Sequence, residues 1–79
     1  MNLEEAFGLT LKKYRNMGCL SQEELAHQSN LDRTYISLLE RGLRRPTLTT
    51  IFIIAKCLKK RPSELIQEVE NQLNEHYTN

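Results

Sequence analysis

The sequence predicts an all-α fold, a compact domain of five helices spanning residues 1–79. Apolar residues recur at helical spacing, and residues typical of helix starts precede those segments. No segment shows the strict alternation of a half-buried strand, and Ile51–Ile54, which could pass for one, lies in capped, helical surroundings. A chain of 79 residues is near the lower size limit for a stable lone core, which fits a single domain.

The first predicted helix runs from about Leu3 to Met17, and Gly18 ends it. Its inward residues are expected to be Ala6, Phe7, Leu11 and Tyr14.

The second helix is expected to begin after Ser21, which can accept a hydrogen bond from a backbone amide of the first turn. Glu24, three residues later, can reach back to the backbone of Ser21 and complete a capping box. Ala26 is small enough to let a following helix cross closely. The residues 29–31, Ser-Asn-Leu, predict a tight turn, because Asn30 tolerates the left-handed backbone conformation.

The third helix is expected to begin after Asp32, a good N-cap, and to end at Gly42. Ile36 and Leu39 lie three residues apart and should face the core. The opposite face, close to the helix N-terminus, carries polar side chains that suit contacts with base edges, namely Arg33, Thr34 and Ser37. Residues 21–42 therefore predict a helix-turn-helix that reads the major groove of double-stranded DNA.

Arg44 and Arg45 follow this motif in a predicted loop, where they can bind phosphate or a neighbouring base edge. Residues 1–61 hold eleven Lys and Arg against six Asp and Glu, a net charge of +5, whereas residues 62–79 hold four Glu and no basic residue. The basic part can face phosphate while the acidic end points away.

A fourth helix is expected from the N-cap Thr47 to about Leu58, and a fifth from Pro62 to about Glu75. The four consecutive apolar residues Ile51–Ile54 point around most of a helix circumference, so a second surface must cover one face. We expect a two-fold homodimer through residues 47–76. Its predicted interface comprises Ile51, Phe52, Leu65, Val69 and Leu73. The alternative is that one small core accommodates all of these side chains.

The motif resembles the Cro- and phage-repressor-type helix-turn-helix regulators from about Leu11 to Leu65, and the segments LDRTYISLLERG and RRPTL look most like the controller proteins of restriction–modification systems. The resemblance implies that Gln22 binds a phosphate, that Tyr35 lies near the sugar-phosphate backbone, and that an Arg15–Glu40 salt bridge ties the first helix to the third. It also implies base or phosphate contacts by Arg33, Thr34, Ser37 and Arg44. Ser29 lies where many relatives carry an aliphatic residue, and Leu38 lies where some phage repressors carry a polar residue that contacts bases.

These features predict a transcription regulator that binds its own promoter region, with two dimers on tandem sites as a further possibility. RNA polymerase is a candidate partner, since Glu23 and Glu24 form an acidic patch beside the DNA. The alternative is that both carboxylates only favour the helix dipole. Other possible functions are a phage or plasmid repressor and an antitoxin-like protein-interaction module.

Composition argues against an enzyme. His27 and His76 are isolated, and no Gly-rich phosphate loop is present. Cys19, expected in a loop, and Cys57, expected to be buried, are too far apart for a zinc site, so neither a metal nor a cofactor is expected. The sequence has no apolar run of about eighteen residues and no signal peptide. We therefore expect a cytoplasmic protein without membrane contact.

Overall fold

The computed structural model describes the backbone of residues 1–77 and the side chains of residues 1–75, and this part of the chain contains five helices and no strand. They are α1 (Leu3–Met17), α2 (Gln22–Ser29), α3 (Arg33–Glu40), α4 (Leu48–Cys57) and α5 (Pro62–Tyr77). The predicted all-α fold is confirmed. The helix bounds differ from the predicted ones mainly in α5, which extends two residues beyond Glu75.

The helices begin where their capping residues predict. Ser21 Oγ accepts a hydrogen bond from the Glu24 amide at 3.0 Å, and Glu24 Oε1 accepts one from the Ser21 amide at 2.8 Å. The hydrogen bond from the Ser21 backbone amide to the Glu24 carboxylate is the main cause that holds the pKa of Glu24 below its ordinary value. The side chain of Ser21 contributes a smaller shift in the same direction. Asp32 and Thr47 cap α3 and α4 through their side-chain oxygens, as expected.

The first four helices end in the same way, with a residue of positive φ just beyond the helix. These residues are Cys19, Asn30, Gly42 and Lys59, at φ values of 58°, 58°, 73° and 58°. In each case the next amide bonds to a carbonyl five residues back, as between Leu20 and Arg15. Gly18 is the C-cap of α1, but its φ is −84°, so Cys19 and not the glycine takes the left-handed conformation.

Apolar side chains from all five helices form one core. The buried members are Ala6, Phe7, Leu11, Leu25, Ala26, Ile36, Leu39, Ile54, Ala55, Leu65 and Val69. Helix α1 packs against α3 and α5, and α2 packs against α3 and α4. Ile36 and Leu39 are completely buried, as their spacing predicts. Among the described residues, no helix is both long enough and apolar enough to cross a membrane.

Gly8 sets the distance between α1 and α3. A Cβ atom at this position would lie 2.5 Å from the carbonyl oxygen of Leu39 and 2.6 Å from that of Glu40. Both atoms belong to the backbone, so no side-chain movement could make room for a methyl group. The close approach places the C-terminal end of α3 beside α1, where Arg15 can reach Glu40.

Ser29 occupies the turn between α2 and α3 without leaving a buried polar group unpaired. Its hydroxyl donates to the carbonyl oxygen of Ala26 at 3.3 Å and accepts from the amide of Leu31 at 3.3 Å. A serine therefore suits this buried position because the turn itself supplies both partners.

Helices α4 and α5 divide their apolar residues between the core and the surface of the single chain. Leu65 and Val69 are only 1% and 4% exposed within the single chain, so they have almost no surface left for a partner. Ile51 and Leu73 are half-buried against the core. Phe52 is 56% exposed and is the only one of the five predicted residues that points mainly outward.

Candidate nucleic-acid interface

A polar recess lies at the N-terminal end of α3. Gln22, Arg33, Thr34 and Ser37 line it, and its volume is about 190 Å³. Arg33 and Thr34 are exposed, and Ser37 is half-buried. The three α3 residues that the sequence assigns to base contacts thus lie together on one surface.

Local interactions give α3 its orientation. Asp32 Oδ1 accepts a hydrogen bond from the Thr34 amide at 3.0 Å, which fixes the first turn. Ile36 and Leu39 anchor the opposite face in the core. Because helical residues repeat every 3.6 positions, burial of these two turns Arg33, Thr34 and Ser37 away from the core. The result is an outward-facing helix start with one cationic and two hydroxyl side chains.

A hydrogen-bonded network lies behind the recess. Arg15 Nε donates to Glu40 Oε2 at 2.5 Å, and Arg15 Nη2 donates to Glu40 Oε1 at 3.0 Å. Arg15 Nη1 also donates to the carbonyl oxygen of Leu20 at 2.8 Å, so the guanidinium additionally holds the loop between α1 and α2. The hydrogen bond to Glu40 raises the pKa of Arg15, although burial opposes this shift. The structure thus contains the ion pair that the resemblance implies.

Gln22 belongs to the same network. Its Nε2 donates to Glu40 Oε1 at 3.0 Å, and the residue is half-buried. The family resemblance implies a phosphate contact for Gln22 and does not include this hydrogen bond to Glu40. No sequence signal could have revealed it, because the two residues are 18 positions apart and meet only after α2 and α3 have packed.

The other predicted DNA-contacting residues have different surroundings. Tyr35 is half-buried against the core. Arg44 and Arg45 are exposed in the loop after α3, where Arg44 Nη1 donates to the carbonyl oxygen of Leu43 at 2.9 Å. Arg45 Nε lies 3.8 Å from Glu4 Oε1, but the Arg45 side chain is 87% exposed. So weak a surface pair leaves Arg45 available to a phosphate.

The cysteines and the histidines are the remaining candidate groups. Cys19 is exposed, and Cys57 is half-buried and not fully buried as expected; burial raises the pKa of its thiol. His27 lies on the exposed side of α2 with Glu23 and Gln28, and the side chain of His76 lies outside the described residues. No cluster of three metal-ligating side chains occurs among the residues that the structure describes.

Two short helices joined by a tight turn, with an outward polar surface at the start of the second, define a helix-turn-helix protein. The family model described as helix-turn-helix matches residues 11–65. Control protein C.SmaI from Serratia marcescens is 42% identical over 66 residues, which cover 84% of this chain and 79% of that protein.

Solved structures agree with this placement. The restriction–modification controller protein C.AhdI from Aeromonas hydrophila has a TM-score of 0.77 and 42% identity, with 78% of this chain and 94% of that chain covered. The controller protein C.Esp1396I, solved as a tetramer in complex with its natural 35-base-pair operator, has a TM-score of 0.82 and 33% identity, with 91% and 95% covered. The chain belongs to the helix-turn-helix family and, within it, to the restriction–modification controller proteins.

Proposed function

We propose that this chain is a sequence-specific transcription regulator that binds a pseudo-palindromic operator as a homodimer and controls a restriction–modification system, including its own gene. The observation that carries this proposal is the recess at the start of α3, where Arg33, Thr34 and Ser37 face outward together. Arginine can bond bidentately to guanine, and the two hydroxyl side chains can contact either kind of base. The controller C.Esp1396I, which is 33% identical, binds its operator as a tetramer.

The loop after α3 supplies affinity that does not depend on sequence. Arg44 and Arg45 are exposed there, and the Arg45 side chain is almost free of protein contacts. Phosphate contacts of this kind fix the protein on the duplex, whereas contacts with base edges select the site. Tyr35 and Gln22 complete the proposed DNA-binding set, with the Gln22 amide at the edge of the recess.

The proposed homodimer uses the outward face of α4. Leu48, Phe52 and Ile53 lie on this face with exposed fractions of 69%, 56% and 36%. Neighbouring exposed apolar residues of this kind mark an interaction surface. A two-fold pair would place two α3 helices in successive major grooves, roughly 34 Å apart. Of the interface residues predicted from the sequence, Ile51, Phe52 and Leu73 stay in the proposal, and Leu65 and Val69 support it from the core.

The proposed regulator is a single-domain protein of the cytoplasm. Residues 1–79 act as a single cytoplasmic DNA-binding domain, with the motif at 21–42 and dimerisation through about 47–76. Double-stranded DNA and a second copy are its partners, and two dimers occupy tandem sites. It acts without catalysis, metal or cofactor.

Selection of bound sequences from a random duplex pool, at two salt concentrations, tests this function. We expect a pseudo-palindromic motif with half-sites about one helical turn apart. An antitoxin-like interaction module would instead enrich no motif, and its binding to DNA would vanish as salt rises. Co-purification of a small partner protein in place of DNA would favour that second function.

Transcriptional activation is a further part of the proposal, through contact of Glu23 with RNA polymerase. Glu24 is bound in the capping box of α2, whereas Glu23 is exposed and makes no cap. Glu23→Gln therefore tests the contact without weakening the helix start. We expect unchanged operator binding with reduced promoter transcription; unchanged transcription would mean that Glu23 only favours the helix dipole.

A further inference from the structure

The carboxylate of Glu40 receives hydrogen bonds from two other helices. Its oxygens accept two from Arg15 on α1 and one from Gln22 on α2. The side chain of Glu40 is only 4% exposed and that of Arg15 is 10% exposed. A carboxylate buried to this extent is kept in one position, since any other would leave its charge unpaired.

This contact also fixes the orientation of the Gln22 amide. A carboxylate can only accept hydrogen bonds, so the nitrogen of the amide, and not its oxygen, must face Glu40. One of the two N–H groups on Nε2 is used there, and the second remains for another acceptor. Gln22 lines the recess with Arg33, Thr34 and Ser37, so this second N–H lies at the edge of the proposed DNA surface.

We propose that Glu40 is a positioning residue for DNA binding, in addition to its part in the Arg15 ion pair. Its carboxylate, locked by Arg15, holds the Gln22 side chain so that the remaining N–H meets a phosphate oxygen without further ordering. A glutamine side chain that is free in solution loses rotamer entropy when it binds DNA. The Gln22 side chain has already lost this entropy when the protein folds, so binding does not incur the loss again. Arg15 offsets the charge of Glu40, which would otherwise repel the phosphate. The inference rests on the proposed function.

The first test is a double-mutant cycle on one operator duplex, with the wild-type chain, Gln22→Ala, Glu40→Gln and the double variant. Loss of one charge-assisted hydrogen bond weakens binding on the order of tenfold. We expect this loss from each single variant and no more than this from the double variant, because Glu40 acts through Gln22. Because the Gln22 amide carries no charge and displaces no counterion, Gln22→Ala should leave the slope of log affinity against log salt unchanged.

A merely structural Glu40 would give a different result. Glu40→Gln would then cost as much in the Gln22→Ala background as in the wild-type chain, and the double variant would lose on the order of a hundredfold. Additive losses overturn the proposal. So does a Gln22→Ala variant that binds like the wild type. Gln28→Ala, on the exposed side of the same helix, is the matched control and should leave affinity unchanged.

The second test does not require any variant to fold. Side-chain amide relaxation by NMR in the free wild-type protein compares Gln22 with Gln28. We expect the side-chain amide of Gln22 to be rigid and that of Gln28 to be mobile. Equal mobility of the two overturns the proposal. A wild-type chain that binds no duplex at all overturns both this inference and the proposed function, whereas specific binding with additive losses overturns this inference alone.

Discussion

Arg33 and Arg45 are both exposed arginines, but their different surroundings favour different proposed contacts with DNA. Arg33 lies in the recess at the start of α3, beside Thr34 and Ser37. Arg45 lies in the loop before α4, with Glu4 as its nearest charged partner at 3.8 Å. A side chain in the recess at the start of α3 can select a base, whereas an arginine in the loop is better placed to contact the phosphate backbone.

Alanine substitution separates the two roles. Arg33→Ala should cost about 1–3 kcal/mol on the selected operator and relax one base position. Arg45→Ala should weaken binding to selected and random duplexes alike, with a lower salt slope. Equilibrium binding to the selected operator and to a random duplex, over a series of salt concentrations, measures both the loss of affinity and the salt slope. An Arg33→Ala variant that loses the same affinity on random DNA would rule out a base contact.

Gly8 is required by the close contact of α1 with α3. A methyl group would lie 2.5 Å from a backbone oxygen, so Gly8→Ala must push the two helices apart. We expect a loss of about 2 kcal/mol or more in the free energy of unfolding, which denaturant titration measures.

Gly18→Ala is the matched control for this substitution. The nearest atom to its added Cβ lies 3.5 Å away, and its φ of −84° suits alanine. We expect it to be neutral or to stabilise the protein by about 0.4–1 kcal/mol. Equal losses from both variants would contradict the close-contact argument.

At the scale of elements, an ion pair joins α1 to α5. Lys13 Nζ lies 2.9 Å from Glu68 Oε2, and the hydrogen bond from Lys13 lowers the pKa of Glu68 in the folded chain. Hydrogen bonds from Asn71 and Gln72 act in the same direction, whereas burial opposes them. A carboxyl with a lowered folded pKa stabilises the protein above its unfolded pKa, about 4.3, and this stabilisation is lost as the pH falls through the folded pKa.

Glu68→Gln should therefore flatten the acid side of the stability profile. We expect the unfolding free energy of the wild type to fall more steeply below about pH 5 than that of the variant. The measurement is denaturant unfolding from pH 3 to pH 7. Glu70→Gln, an exposed neighbour on the same helix, is the control and should follow the wild type. Parallel curves for wild type and Glu68→Gln would refute the assignment.

At the scale of the whole molecule, the exposed face of α4 and the charge distribution suit a dimer on DNA. Phe52 and Ile53 line a shallow recess with Lys56, Lys60 and Arg61, next to the start of α5. Residues 62–79 carry four Glu and no basic residue, so repulsion from phosphate keeps this segment away from DNA. The net charge is +5 in residues 1–61 and −4 in residues 62–79, so attraction to phosphate favours an approach through the basic part.

Phe52→Lys should weaken the dimer on the order of tenfold or more, since it replaces an exposed aromatic anchor by a charge. The protomer should remain folded because Phe52 is 56% exposed. Sedimentation over a concentration series measures the association, and circular dichroism measures the fold. Met17→Lys removes a 62% exposed apolar side chain from the end of α1 and should leave the dimer intact. A wild-type chain that stays monomeric at every concentration would refute the interface.

The positions of the helices and the outward face of α3 follow from local interactions in the sequence. Caps such as Ser21 and Asp32 act within a few residues, and the spacing of Ile36 and Leu39 fixes which side of the helix is polar. These are local interactions, so the sequence shows them directly. The identity of three recess residues, Arg33, Thr34 and Ser37, could therefore be predicted before their geometry was known.

Contacts between residues far apart in the sequence depend on how the helices pack. The Gln22–Glu40 hydrogen bond and the contact of Gly8 with α3 arise when helices pack, and periodicity carries no information about which helix covers a face. For the same reason Leu65 and Val69, predicted at a dimer interface, lie in the core, whereas Phe52 remains outside. An apolar stripe requires burial, but the arrangement of the other helices determines what buries it.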